Sequence, residues 1–400
     1  MGARTVTGSR GIYRTDIGRK SWMDLAKGVA IILVVVYHGM LFLHSIGFEG
    51  DGMTRSKVTL ETFPMPVFFL IAGMFGLRIQ QWTFAETWKR KISGYLYLYV
   101  VWSVIRFLFY LVVPNVRAGD GAGTTASDPI SLLLIFVWPT SSYWFILALA
   151  VFTVAFWLIR RLPVWLQVGA AAVLSVLFSS DLLDTGNVGW THMCVCFVFF
   201  VVGALFSKRI EQAVLDSKGW HIAAAFAGYA LVTASLAFVP WTRDIPGVVL
   251  LGQVSAVALG ATVSVRLVRL RALAWVGNLG VRSFEIYLLH VFVLAGLGVL
   301  LSAFPVLLTL PDGGWGILIV MVAIAIWVSL LLFRVLARFP WLFVSPLRMP
   351  SGAKKRRAAG PGAGTGTDVD AGKGADPAAG EAADPAATGA TPVPGADGTR

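Results

Sequence analysis

Charge is what this chain has least of. Only 14% of its 400 residues are charged, against about a quarter in ordinary soluble domains. Apolar residues make up 57%, and mean hydropathy is +0.75. A soluble globular enzyme, a disordered regulator and a collagen-like fibre are all excluded by that balance. Cysteine is nearly absent. Cys194 and Cys196 are the two present; two apart on one helix, they point in different directions and cannot form an ordinary disulfide. No zinc-ligand spacing exists, so no metal site is expected. Acid is also short: 21 acidic residues face 33 basic ones, a net charge of +12. No internal repeat appears, nor a matched pair of Gly/Pro-broken apolar segments, which disfavours a transporter built from repeats. The first apolar run has no small-residue cleavage site after Val36 and continues past His38, unlike a signal peptide.

What is present is a series of apolar runs near the twenty residues that a hydrocarbon core of about 30 Å requires. The pattern predicts an all-α, polytopic membrane bundle of about ten spanning helices. They are placed at roughly 24–46, 60–79, 94–113, 142–159, 164–180, 189–206, 220–239, 247–265, 283–303 and 315–337. The stretch Ile130–Pro139 is too short to span and is expected at an interface or re-entering. Domain organisation follows: a basic arm at 1–21, a membrane domain at 22–340, and an Ala/Gly/Pro-rich tail at 351–400. The tail has too few large apolar residues to fold.

The basic residues decide between two meanings of the net charge. With the N-terminus inside, 27 of the 33 fall in cytoplasmic segments. Arg55, Lys57, Arg117 and Arg243 fall outside, and Lys27 and Arg106 within helices. This asymmetry predicts both termini in the cytoplasm. It also removes nucleic acid as a partner, since no contiguous basic face with interleaved aromatics is formed. The lipid bilayer is the partner the composition demands, and the oligomeric state is left open.

Ionisable residues at membrane depth are costly and usually functional. The first helix carries Asp24, Lys27 and His38. Lys27 and His38 are eleven apart, only about 20° from three full turns, so they share a face with an axial offset of about 16 Å. Asp24 lies one turn below Lys27 at ion-pair spacing. Gly28 permits close approach of a ligand or another helix. The ninth span carries Ser283, Glu285, Tyr287 and His290. Ser283 and His290 share a face, Tyr287 adjoins His290, and Glu285 points elsewhere, toward Lys27 or a basic loop. Arg106 lies deep in the third span and is expected to face a cavity and bind an acceptor group or Glu61. His44, His192 and His221 sit near helix ends, where a structural role is expected. Trp144 opens the fourth span as an aromatic-belt residue.

At these residues the sequence resembles the membrane-bound acyltransferase family 3, and within it the sugar O-acetylase-like members. Asp24, Lys27, Gly28 and His38 fit its first-helix run. Met65, Pro66, Phe68, Phe69 and Gly73 fit its second-helix run. Ser283, Tyr287, Leu288, Leu289 and His290 fit a third, and Trp144, Phe145 and Leu149 a fourth. The match runs from about 20 to 340. Lys27 stands where Arg is more usual, Pro64 where many members have His, and Ala72 where they have Ser. Lys89-Arg90-Lys91 is only loosely similar to the family's Arg-x-x-Arg and lacks the following Pro.

The resemblance implies an integral-membrane O-acyltransferase. Its donor would be cytoplasmic acyl-CoA, most simply acetyl-CoA, as a co-substrate and with no permanently bound cofactor. Its acceptor would be a hydroxyl on a cell-envelope glycan or glycolipid. His38 is then the expected base, since a neutral imidazole suits that role; a covalent acyl-His38 is the alternative. Lys27, Lys89, Arg90 and Lys91 are placed to meet the CoA phosphates. His290, Tyr287 or Trp144 would donate to the oxyanion or orient the acceptor, with Asp24, Arg106, Ser283 and Glu285 as further substrate-side residues. A transporter or flippase for a glycan or glycolipid is the competing reading, and a scaffolding subunit the third.

Overall fold

A computed structural model describes residues 21–48, 51–116, 126–139, 141–304, 306 and 314–346. The basic arm and the tail expected at the two ends therefore lie outside the described residues, apart from the first residue of the first helix. Among the described residues the chain is helical with no strand. The order is α1 (Ser21–Ser45), α2 (Asp51–Thr62), α3 (Pro64–Met74), α4 (Phe84–Thr87), α5 (Ser93–Val112), α6 (Pro129–Leu133), α7 (Trp144–Ile159), α8 (Val164–Ser179), α9 (Val188–Leu215), α10 (Gly219–Phe238), α11 (Val248–Leu267), α12 (Ala274–Val281), α13 (Ser283–Ser302) and α14 (Trp315–Leu336). Among the described residues, eight spans are long and apolar enough to cross a membrane, and α7 and α8 are shorter apolar helices of 16 residues each.

Several boundaries differ from the hydropathy reading, each for a local reason. The expected second span is two helices. Pro64 at the start of α3 lacks an N–H, which separates it from α2. α3 then stops at Met74 and passes through Gly76 into a 3-10 turn at Leu77–Gln81, short of the expected residue 79. The third span is extended toward its basic end by α4 and a π-helical turn, Trp88–Ile92. α9 runs to Leu215, past the expected end at 206; a break in helical geometry falls at Phe206. The helix α12 was not foreseen, because eight residues in a basic loop carry no hydropathy signal for a span.

α1 is the centre of the bundle. It packs against α3, α11, α12, α13 and α14, and its buried residues run from Trp22 to Leu43. At the Lys27 end, α12 presses on it backbone to backbone. A Cβ added to Gly28 would collide with the Val276 carbonyl, and one added to Gly280 with the Asp24 carbonyl. Of the two readings of Gly28, the structure realises the approach of another helix. α3 and α9 cross in the same way, through Gly73 against Phe200 and Gly203 against Leu70. Small residues at such crossings let dispersion replace the hydrophobic effect, which lipid does not supply. α10 is the opposite case: Val232 is its only buried residue among those described. Its large side chains Phe226 and Leu231 are exposed, as a lipid-facing surface requires.

Candidate active site

The centre of the site is a pair of imidazoles. His38 on α1 and His290 on α13 meet with ring centroids 5.0 Å apart and planes at 74°. They were placed 252 residues apart by the sequence and are brought together by the packing of α13 on α1. Each ring is held by its own helix. His38 Nδ1 bonds the Val34 carbonyl at 2.9 Å, and His290 Nδ1 bonds the Ile286 carbonyl at 3.0 Å. A carbonyl only accepts, so Nδ1 carries the proton in each neutral ring and Nε2 the lone pair. His290 is fully buried, and its Nε2 has no hydrogen-bond partner. His38 is half-buried. The other face of the His38 neighbourhood is Tyr37, whose ring lies edge-on at 5.6 Å.

Two reciprocal bonds lock this region. Tyr287 donates to the Ser142 carbonyl, and Tyr143 donates to the Leu288 carbonyl at 2.8 Å. The start of α7 is thereby fastened to α13 at Tyr287 and Leu288, within the turn that precedes His290. Tyr287 also stacks obliquely near His290, with centroids at 6.2 Å. Its hydroxyl is committed to backbone, so it orients α13; Tyr143, which the sequence reads only as part of the Tyr143-Trp144-Phe145 aromatic belt, shares this work. The only signal for Tyr143 was its place beside Trp144. Trp144 itself points elsewhere, against Phe69 and His192, with centroids at 5.8 and 5.5 Å. Ser283 is buried at the start of α13.

At the basic end, Lys27 and Asp24 form the ion pair that their spacing predicts, at 2.8 Å and partly exposed. Lys27 does not line the basic cavity of this structure. That cavity, about 780 Å³, is bounded by Arg78, Lys89, Arg90 and Lys91, with Trp82, Ser207 and the end of α3. Its volume is in the range of small-molecule sites. The three consecutive cations ride on the π-helical turn, and the Arg90 guanidinium lies 5.2 Å over the Trp82 ring. Ser207 follows the break at Phe206 in α9. Arg78, Trp82 and Ser207 were not among the expected site residues. Arg78 lay in the same basic loop, whereas Ser207 had no signal short of the fold.

Three expected pairings are corrected. Glu61 does not meet Arg106. It accepts from Tyr37 at 3.3 Å and faces Arg243 at 3.9 Å, because α2 places it beside α1 and the Pro240–Asp244 turn; Arg243 also reaches Asp181 at 3.8 Å. Arg106 lies over the Tyr110 ring at 5.3 Å and lines a crevice with Tyr99, Ser103, Ser131 and Ser141. The crevice holds about 20 Å³, room for roughly one water. Glu285 pairs with neither Lys27 nor a basic loop among the described residues, and its Oε2 is buried without a hydrogen bond. Lys27 is paired with Asp24 on its own helix instead.

Residues 20–334 match a family model described as an acyltransferase domain, that of acyltransferase family 3. The chain belongs to this family. No curated protein and no solved structure gives a match. The family and the apolar helices together make the chain a multi-pass membrane acyltransferase.

Proposed function

We propose that this acyltransferase moves an acyl group, most simply acetyl, from cytoplasmic acyl-CoA to a hydroxyl of a cell-envelope glycan or glycolipid. The plasma membrane is its site, with both termini in the cytoplasm. The observation that supports the reading is an imidazole pair between α1 and α13 in a chain that also carries a cavity lined by four cations. Four cations line a cavity of small-molecule size, which suits a polyphosphorylated donor. His38 Nε2, with its lone pair set by the Val34 bond, suits a base. Along α1, Lys27 and His38 are separated by about 16 Å, a span that an extended pantetheine arm covers.

In the step, the acceptor hydroxyl gives its proton to His38 Nε2 as its oxygen bonds the thioester carbon. The C–S bond then breaks, and the CoA thiolate recovers the proton. Purified full-length protein in lipid is expected to release CoA from acetyl-CoA in the presence of envelope extract, and His38→Ala is not. Mass comparison of the extracts identifies the acylated acceptor. Glycolipid movement across the bilayer without thioester consumption would assign the cavity to transport instead.

A further inference from the structure

We propose that His290 is a positioning residue that shares the proton collected by His38, so that the two imidazoles act as a single two-ring base. The inference rests on the acyltransferase reading above and deepens it. Both Nδ1 atoms are tied to carbonyls one turn below, at 2.9 and 3.0 Å. In the neutral pair the two remaining nitrogens are therefore both acceptors. His290 Nε2 is buried and meets no donor. A buried acceptor left unmatched is unfavourable.

One proton resolves the mismatch. An N–H···N bond of about 3 Å between two imidazoles sets their centres roughly 5 Å apart; here the centres are 5.0 Å apart with planes at 74°, and a turn of the His38 ring toward His290 Nε2 completes the bond once a proton is present. Once His38 Nε2 takes a proton from the acceptor hydroxyl, it becomes the donor that His290 Nε2 lacks. The bond then lowers the penalty of burying a positive charge, by spreading it over two rings. The proton passes on to the thiolate when the C–S bond breaks, and the pair returns to its neutral state. Neutral His290 has no N–H left for an oxyanion, because its proton is already given to Ile286.

Among the described residues, the nearby hydroxyls and charges are engaged with other groups. Tyr287 and Tyr143 give their hydroxyl protons to the Ser142 and Leu288 carbonyls. Tyr37 donates to Glu61, which also faces Arg243. Lys27 and Asp24 are paired with each other about 16 Å along the helix.

The test uses the full chain in lipid nanodiscs, labelled with ¹⁵N at histidine, as wild type, His290→Leu and His290→Gln. On acidification, the His38 and His290 Nε2 signals of the wild type are expected to move together. A coupling across the shared hydrogen should connect them. Independent movement without coupling overturns the proposal. With acetyl-CoA and envelope extract, His290→Leu is expected to lower kcat about 10- to 100-fold with KM for acetyl-CoA unchanged. His290→Gln, whose amide oxygen accepts a hydrogen bond, recovers part of the loss. Equal kcat in wild type and His290→Leu overturns the proposal. A wild type no faster than His38→Ala counts against the acyltransferase reading, and the spectra then decide proton sharing alone.

Discussion

The two ends of the polar face of α1 are built on opposite plans. Around Lys27 the helix is held by backbone contact with α12, while the polar groups are partly exposed; other cations of the basic side line a wide cavity. Around His38 the contacts are aromatic, the rings are tied to backbone carbonyls, and the partner imidazole is fully buried. Long flexible cations in water recognise charge without fixing atoms, and each contributes modestly. Short rings held by packing fix a nitrogen to within the tolerance that proton transfer needs. On the proposed function, the first end sets donor affinity and the second sets the rate.

The sharpest break in that comparison is His38→Ala. Transfer is expected to fall by at least about 100-fold, while membrane insertion and the thermal midpoint stay near wild type. An active, well-inserted variant would remove His38 from the chemistry. Next comes Gly28→Leu, which drives a side chain into the Val276 backbone. It should cost about 1–3 kcal/mol of stability, read as an earlier unfolding transition in detergent, although it deletes no charge. Arg78→Ala combined with Arg90→Ala should raise KM for acetyl-CoA about tenfold, equivalent to about 1.4 kcal/mol, with kcat within about twofold. The difference from wild type should shrink as salt is added, since the cavity is open to water. Lys27→Ala is expected to do less, about threefold on KM, because Lys27 is already paired with Asp24 and partly exposed; Lys27→Arg should retain activity. An unchanged CoA dependence in Lys27→Ala would make the pair structural. Trp144→Phe should change kcat by less than about twofold, since its ring rests on Phe69 and His192, away from the imidazole pair.

Much of this arrangement was legible before any coordinates. Hydropathy located the apolar helices, because a span must be about twenty residues long whatever it packs against. The Lys27–Asp24 pair was legible because it is local, three residues apart on one helix. The shared face of Lys27 and His38 follows from helical periodicity alone. What was missed is long-range. Glu61 had several candidate cations, and only the placement of the Pro240–Asp244 turn chose Arg243 over Arg106. Glu285 does not pair with Lys27, which meets Asp24 on its own helix, and the short α12 that packs on α1 is too brief to register in a hydropathy window. Arg78 and Ser207 come from loops and helices that are distant in sequence and share one cavity.

The amino-acid sequence by itself determined that the chain lives in lipid, because 57% apolar content in runs of span length leaves no soluble alternative. It also determined which few ionisable groups sit at depth, since so little charge is present to choose from. Only the tertiary structure decided how they combine. His38 and His290 are 252 residues apart, and no periodicity relates one helix to another. Their meeting depends on small residues that let particular helices close on one another, and on two tyrosine hydroxyls that fasten α7 to α13. Local spacing is written into a helix by its covalent geometry, whereas the choice of neighbour is settled by packing.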